Sequence, residues 1–171
     1  MSAARALQPA AGDIQRASYR HALGRIPTGV AFAAARAPDG SPVGLLINSF
    51  TSVSMDPPLV SWCLALTARS APVFTRATHF AISVLAENQQ TLIVALKRPA
   101  EDRFSGVPIR GGAGDAPVLE AAAAAFECRV FSINRAGDHD IFIGEVTSFE
   151  SGADEPLAYL GGRFGQVRVF A

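Results

Sequence analysis

Short apolar segments of six to eight residues, each closed by a turn signal, constrain this chain more than any other feature of its sequence. Four of them are 30–36 (VAFAAAR), 43–50 (VGLLINSF), 59–66 (LVSWCLAL) and 80–85 (FAISVL). Pro38-Asp39-Gly40 separates the first two, and Asp56-Pro57-Pro58 precedes the third. Runs this short, broken by Asp-Gly and Pro, read as strands of hairpins and meanders. Residues 124–133 alternate, with Phe126, Cys128 and Val130 on one face and Glu127 and Arg129 on the other. That is the pattern of a half-buried antiparallel strand. Residues 140–149 and 163–170 complete the strand set. Helices are expected over 14–26, with Asp13 as N-cap and Pro27 and Gly29 as terminators, and over 88–98, capped by Asn88. Residues 99–117 are rich in Gly and Pro and predict a long surface loop, the kind that often carries function. The strands do not alternate with long helices, which argues against a doubly wound parallel sheet. The expected fold is α+β and mainly β: a closed or nearly closed antiparallel barrel with peripheral helices.

Composition narrows the function classes. The chain has 171 residues, 49% apolar and 18% charged, enough for one domain with a real core. No apolar run is long enough to span a membrane as a helix. The formal net charge is zero, so a basic nucleic-acid face is not expected. The 15 basic residues are fourteen Arg and one Lys, Lys97. Such an excess reads either as anion recognition or as the codon bias of a GC-rich genome. Cys63 and Cys128 lie in apolar runs, with no C-x-x-C and no zinc-ligand spacing, and read as small buried hydrophobes. Residues 1–13 read as a disordered tail without a signal-peptide layout, and 14–171 as the folded domain; a cytoplasmic protein is expected.

Generic catalytic motifs are missing: no G-x-G-x-x-G after a strand, no Walker A loop, no G-x-S-x-G elbow. Gly111-Gly112-Ala113-Gly114 has no helix behind it. His21 reads as a helix residue and His79 as a turn residue. His139, in Gly137-Asp138-His139-Asp140, leads into an apolar strand. It is either a turn histidine bonded to backbone or a group at a strand mouth, where ligands meet barrels. The segment Asn48-Ser49-Phe50-Thr51-Ser52-Val53-Ser54 crowds small polar side chains between apolar segments. It reads as an anion cradle of hydroxyls and N–H groups or as a polar strand edge. Arg69-Ser70 would supply the cation that such a cradle lacks.

At these residues the chain resembles the flavin reductase family with the FMN-binding split-barrel fold. These are the NAD(P)H:flavin oxidoreductase components of two-component flavin monooxygenases. The segments carrying the likeness are Tyr19–Val30, Asn48–Val60 (NSFTSVSMDPPLV), Thr67–Phe74, Phe80–Leu85, Asp102–Val107, Gly137–Val146 (GDHDIFIGEV) and Pro156–Phe164. The likeness extends to the reductases of aromatic polyketide biosynthesis, such as that of the actinorhodin pathway.

The resemblance implies an oxidoreductase that reduces FMN or FAD with NADH or NADPH and supplies a flavin-dependent monooxygenase. It also implies a homodimer. It sets Thr28, Gly29, Asn48 and Ser49 along the flavin ring, and Ser52, Val53 and Ser54 toward the ribityl chain. Cys63 and Ala65 lie under the flavin, Arg69 and Ser70 approach the phosphate, Phe104 closes over the site, and His139 takes the nicotinamide side. Leu46 departs from the family's G-x-T-x-N-S pattern, which has Thr there, and Phe164 stands where many relatives have Tyr. Leu46 keeps open a flavin-binding protein that is not a diffusible-flavin reductase. A structural domain with an empty barrel is a third reading.

Overall fold

The computed structural model describes residues 16–168 and 170. The tail expected over 1–13, and Asp13 and Ile14 at the start of the first helix, lie outside the described residues. Helix α1 (Arg16–Leu23) buries no residue. A two-residue strand, β1 (Thr28–Gly29), follows it, and then comes β2 (Ala31–Arg36). Every residue from Ala31 to Ala35 is buried. A strand covered on both faces reads as a continuous apolar run, and its small alanines let a packed layer settle on each side.

A hairpin turns into β3 (Pro42–Ile47) where Pro38-Asp39-Gly40 predicts it. Gly40 takes φ +83°, and Asp39 Oδ1 accepts hydrogen bonds from the Ser41 hydroxyl at 2.7 Å and N–H at 2.9 Å. These bonds hold the Asp39 carboxyl below the usual carboxylate range. The next hairpin joins β4 (Thr51–Met55) to β5 (Pro58–Ala65) through a cis Asp56-Pro57 peptide. Helix α2 (Ala71–Phe74), β6 (His79–Val84) and helix α3 (Leu92–Leu96) come next, then the small hairpin of β7 (Ile109–Gly111) and β8 (Pro117–Leu119). The long hairpin of β9 (Ala124–Ala136) and β10 (His139–Ser151) leads to β11 (Ala158–Leu160) and β12 (Arg163–Gly165).

Seven strands form one antiparallel sheet in the order β3-β2-β6-β9-β10-β5-β4, and β1, β11 and β12 form a second. One face of the large sheet packs around Trp62, which stacks on Phe142 at 4.7 Å and meets Phe74 and Phe80 edge-on. The alternating residues Ala31, Ala33 and Ala35 join that core, while Phe32 and Ala34 point the other way. There they meet Ile93 and Leu96 of α3, together with Val107 and Leu119.

The chain is thus mostly β with a few helices, as expected, but several boundaries differ. Among the described residues no ladder joins the end strands β3 and β4, so pairing does not close the sheet. The helix expected over 88–98 shrinks to a 3-10 turn at Glu87–Gln89 and the five-residue α3. Asn88 does not cap it; its amide donates to Asp154 at 2.9 Å. The strand expected to run through 43–50 ends at Ile47, and the polar segment after it forms β4. The loop expected over 99–117 contains β7, with Val107 and Ala116 buried. The last strand is three residues long. Cys128 is fully buried, and its thiol is pushed up to about 12 by burial and then by the Glu127 charge. Cys63 is only half-buried.

Candidate functional site

The small sheet and the end of β3 frame a cavity. In the small sheet Thr28 pairs with Tyr159 and Gly29 with Ala158, while Tyr159 pairs in turn with Phe164. The two aromatic rings lie 5.4 Å apart. The cavity encloses about 220 Å³ and is lined by Val30, by Leu46, Ile47 and Asn48, by Tyr159 and Phe164, and by Lys97. Its walls are aliphatic and aromatic, with Asn48 and Lys97 as the polar residues of the lining. A whole drug-sized ligand takes about 300–1,000 Å³. This cavity suits a planar ring system and leaves the rest of a nucleotide outside.

A second observation bears on what the cavity accepts. Thr28 Oγ1 is buried and has no hydrogen-bond partner. An unmet buried hydroxyl costs about 1–3 kcal/mol. Thr28 is not itself a lining residue, but it pairs with Tyr159, which is. The polar groups that do line the cavity, the Asn48 amide and the Lys97 ammonium, suit a heteroaromatic ring edge carrying N and O atoms, which is the chemistry of a flavin ring.

A ribbon of backbone extends the site along β5 and β10. The Ser49 hydroxyl accepts from the Cys63 N–H at 3.0 Å and donates to its carbonyl at 3.5 Å. A side chain here continues the β4–β5 ladder by two residues, stitching the β3–β4 link to β5. Ser49 is thereby committed to the fold. His139 opens β10 opposite Ala65. Its Nδ1 lies 2.7 Å from Asp138 Oδ1, and its side chain is 44% exposed. The hydrogen bond from His139, with that residue's charge and Arg16 behind it, holds Asp138 below the usual carboxylate range. The turn also rests on the buried Asp140, which accepts from Arg135 Nε at 2.6 Å across the hairpin. His139 is thus bonded to the side chain before it, rather than to backbone, and its ring stands at a strand mouth.

The remaining sequence candidates spread outward. Ser52 and Val53 are exposed on β4, and Ser54 is half-buried. Arg69 is exposed, and Ser70 starts α2 without a side-chain cap bond. None of these five lines the cavity, and neither do Thr28, Gly29, Ser49, Cys63, Ala65, Phe104 or His139; of the candidate site residues only Asn48 does. Phe104 packs edge-on against Phe32 at 5.6 Å, in the same apolar cluster as Leu46, Tyr159 and Phe164. The neighbouring Arg103 guanidinium ties that segment to β3 by donating to the Gly44 carbonyl, and it donates to the Arg98 carbonyl as well. Burial lowers the pKa of Arg103. Sequence reasoning missed Val30, Ile47, Lys97 and Tyr159 as lining residues. The apolar ones look like core; Lys97 carries a signal only as the single lysine. Among the described residues no group of three or more His, Cys, Asp or Glu is placed to hold a metal, and no helix is long and apolar enough to cross a membrane.

Comparison with known proteins identifies the family. The family described as flavin reductase like domain matches residues 23–168. The chain is 43% identical over 154 residues to the stachydrine N-demethylase reductase subunit Stc3 of Rhizobium meliloti, covering 90% of this chain and 67% of that one. It is 41% identical over 149 residues to the FMN reductase (NADH) SmoA of Agrobacterium fabrum, covering 87% of this chain and 84% of that one. The solved NADH:FAD oxidoreductase SgcE6 of Streptomyces globisporus, in complex with NAD and FAD fragments, superposes with a TM-score of 0.82 at 35% identity, covering 92% of this chain and 93% of that one. A family match over most of the chain, and relatives this similar, place the chain in the flavin reductase family.

Proposed function

We propose that the cavity beside Asn48 receives the flavin ring and that His139 borders the nicotinamide side of the same site. The activity is NAD(P)H-dependent reduction of a flavin, FMN or FAD, with the reduced flavin supplied to a partner monooxygenase. The observation that carries the site assignment is the aromatic-walled cavity with the Asn48 amide in its lining. When bound, the flavin supplies the ring that accepts a hydride from the nicotinamide, so the protein needs neither nucleophile nor metal. The chain's part is positional. Thr28 and Asn48 present polar groups to the ring edge, Tyr159 and Phe164 exclude water, and Asp138 fixes the tautomer and direction of His139. Gly29 carries no side chain and leaves the approach open: a Cβ built there meets nothing within 4 Å.

The finer parts of the reading are a split barrel of the FMN-binding type, a homodimer, a cytoplasmic location, and Ser52, Val53, Ser54, Cys63, Ala65, Arg69, Ser70 and Phe104 around the flavin. The split barrel is supported by Ala33 of β2 and Trp62 of β5, from opposite halves of the sheet, sharing one core.

The test follows NADH oxidation with and without added FMN, then repeats it with FAD and NADPH. Oxidation that depends on added flavin and saturates with it is the expected result. His139→Ala should raise the KM for the nicotinamide about tenfold, the equivalent of one good hydrogen bond, and leave that for flavin nearly unchanged. Flavin bound without accelerated NADH oxidation would favour the carrier reading that Leu46 raises.

A further inference from the structure

Lys97 is the single lysine of the chain, and it lines the cavity. It follows directly on α3, and its backbone N–H donates to the Ile93 carbonyl at 3.1 Å. Leu96, just before it, is buried, so the stem of the side chain starts from a fixed point. The ammonium lies 5.5 Å from the centre of the Phe164 ring, within cation–π range. Among the described residues it makes no ion pair, and no Asp or Glu lines the cavity. A positive charge is thus held over an aromatic ring at the wall of a mostly apolar cavity, uncompensated by any carboxylate.

The reaction supplies the missing charge. In hydride transfer the C4–H bond of the nicotinamide breaks and an N5–H bond of the flavin forms, both electrons moving with the hydrogen. NADH becomes NAD⁺, and a neutral oxidised ring becomes an anion. We infer that Lys97 is the counter-cation of the reduced flavin, binding the two-electron-reduced ring more tightly than the oxidised one. This rests on the cavity being the flavin-ring site. Reduced flavin held by such a charge also leaves more slowly, which sets how long it is retained before a partner oxygenase receives it.

The test measures equilibrium dissociation constants, under anaerobic conditions, for oxidised FMN, dithionite-reduced FMN and riboflavin. It uses the full chain and its Lys97→Met and Lys97→Arg forms. Lys97 is exposed at the cavity rim, so both variants should fold. The expected result is that Lys97→Met weakens reduced FMN about tenfold more than oxidised FMN. For two electrons that equals a fall of about 30 mV in the potential of the bound flavin. Lys97→Arg should restore most of the difference, and reduced riboflavin should show the same discrimination. Equal weakening of both redox states, or no change in either, would overturn the inference. So would a loss confined to FMN with riboflavin unaffected, which would make Lys97 a phosphate contact. If the unsubstituted protein binds neither redox state, the flavin-site reading falls first and the inference with it.

Discussion

Leu46 stands in the cavity wall and pairs across the β2–β3 ladder with Phe32. The pattern of the family this chain resembles has a hydroxyl at this place. Leu46→Thr should therefore tighten FMN binding about two- to tenfold, the worth of one added hydrogen bond. It should also lower the melting temperature, because Leu46 packs against the cluster around Phe32 and Leu85. A titration and a thermal melt of the one variant check both halves. Unchanged affinity would show that residue 46 contributes shape alone. Cys128 shows the opposite logic: burial raises its thiol to about 12, which leaves it a core group rather than a reactive one.

At the scale of elements, β3 carries the cavity because two features hold it close to its neighbours. Gly44 allows the Phe32 ring to lie over the strand: a Cβ there would sit 2.4 Å from Phe32 Cζ and 3.0 Å from the Ala33 carbonyl oxygen. Arg103 then bonds the Gly44 carbonyl and brings Phe104 against the same Phe32 ring. Gly44→Ala should push Phe32 into Phe104 and cost about 1–3 kcal/mol as overpacking, with a melting temperature several degrees lower. Flavin affinity should fall with it, since Leu46 and Asn48 lie on and just beyond the same strand. A melt that does not move would mean that the ring swings aside freely.

For the whole molecule, the exposed apolar residues of the large sheet are the place to test the proposed homodimer. Met55 is 90% exposed and Phe149 74%, and Val53 and Phe131 are exposed as well. They lie on β4, β9 and β10, strands of the same sheet. Sedimentation of the purified chain should give twice its 17.9 kDa mass, and Met55→Asp combined with Phe149→Asp should shift it toward monomer. A monomer without substitution would remove the homodimer from the proposal. Much of this was legible beforehand. Turn residues at Pro38-Asp39-Gly40 and the alternation at 126–130 placed strands correctly, because φ preferences and period-two burial are local. The position of His139 at the start of β10 was legible because a polar turn before an apolar strand is also a local signal. The misses were tertiary. Thr51–Met55 is the edge strand that was one of the two readings of the polar segment, but its pairing with β5 was not legible, since no local rule anticipates a partner. Asn88 does not cap the helix expected there, because its amide bonds Asp154, 66 residues on. Tyr159 and Lys97 reach the cavity only when β11 pairs with β1 and α3 docks on β2. By itself the sequence determined a mainly β chain of this family, since its turns, short runs and motifs act over a few residues. Which side chains converge on one cavity was decided by the packing of segments far apart in the chain, and that is where Lys97 acquired its place beside Phe164.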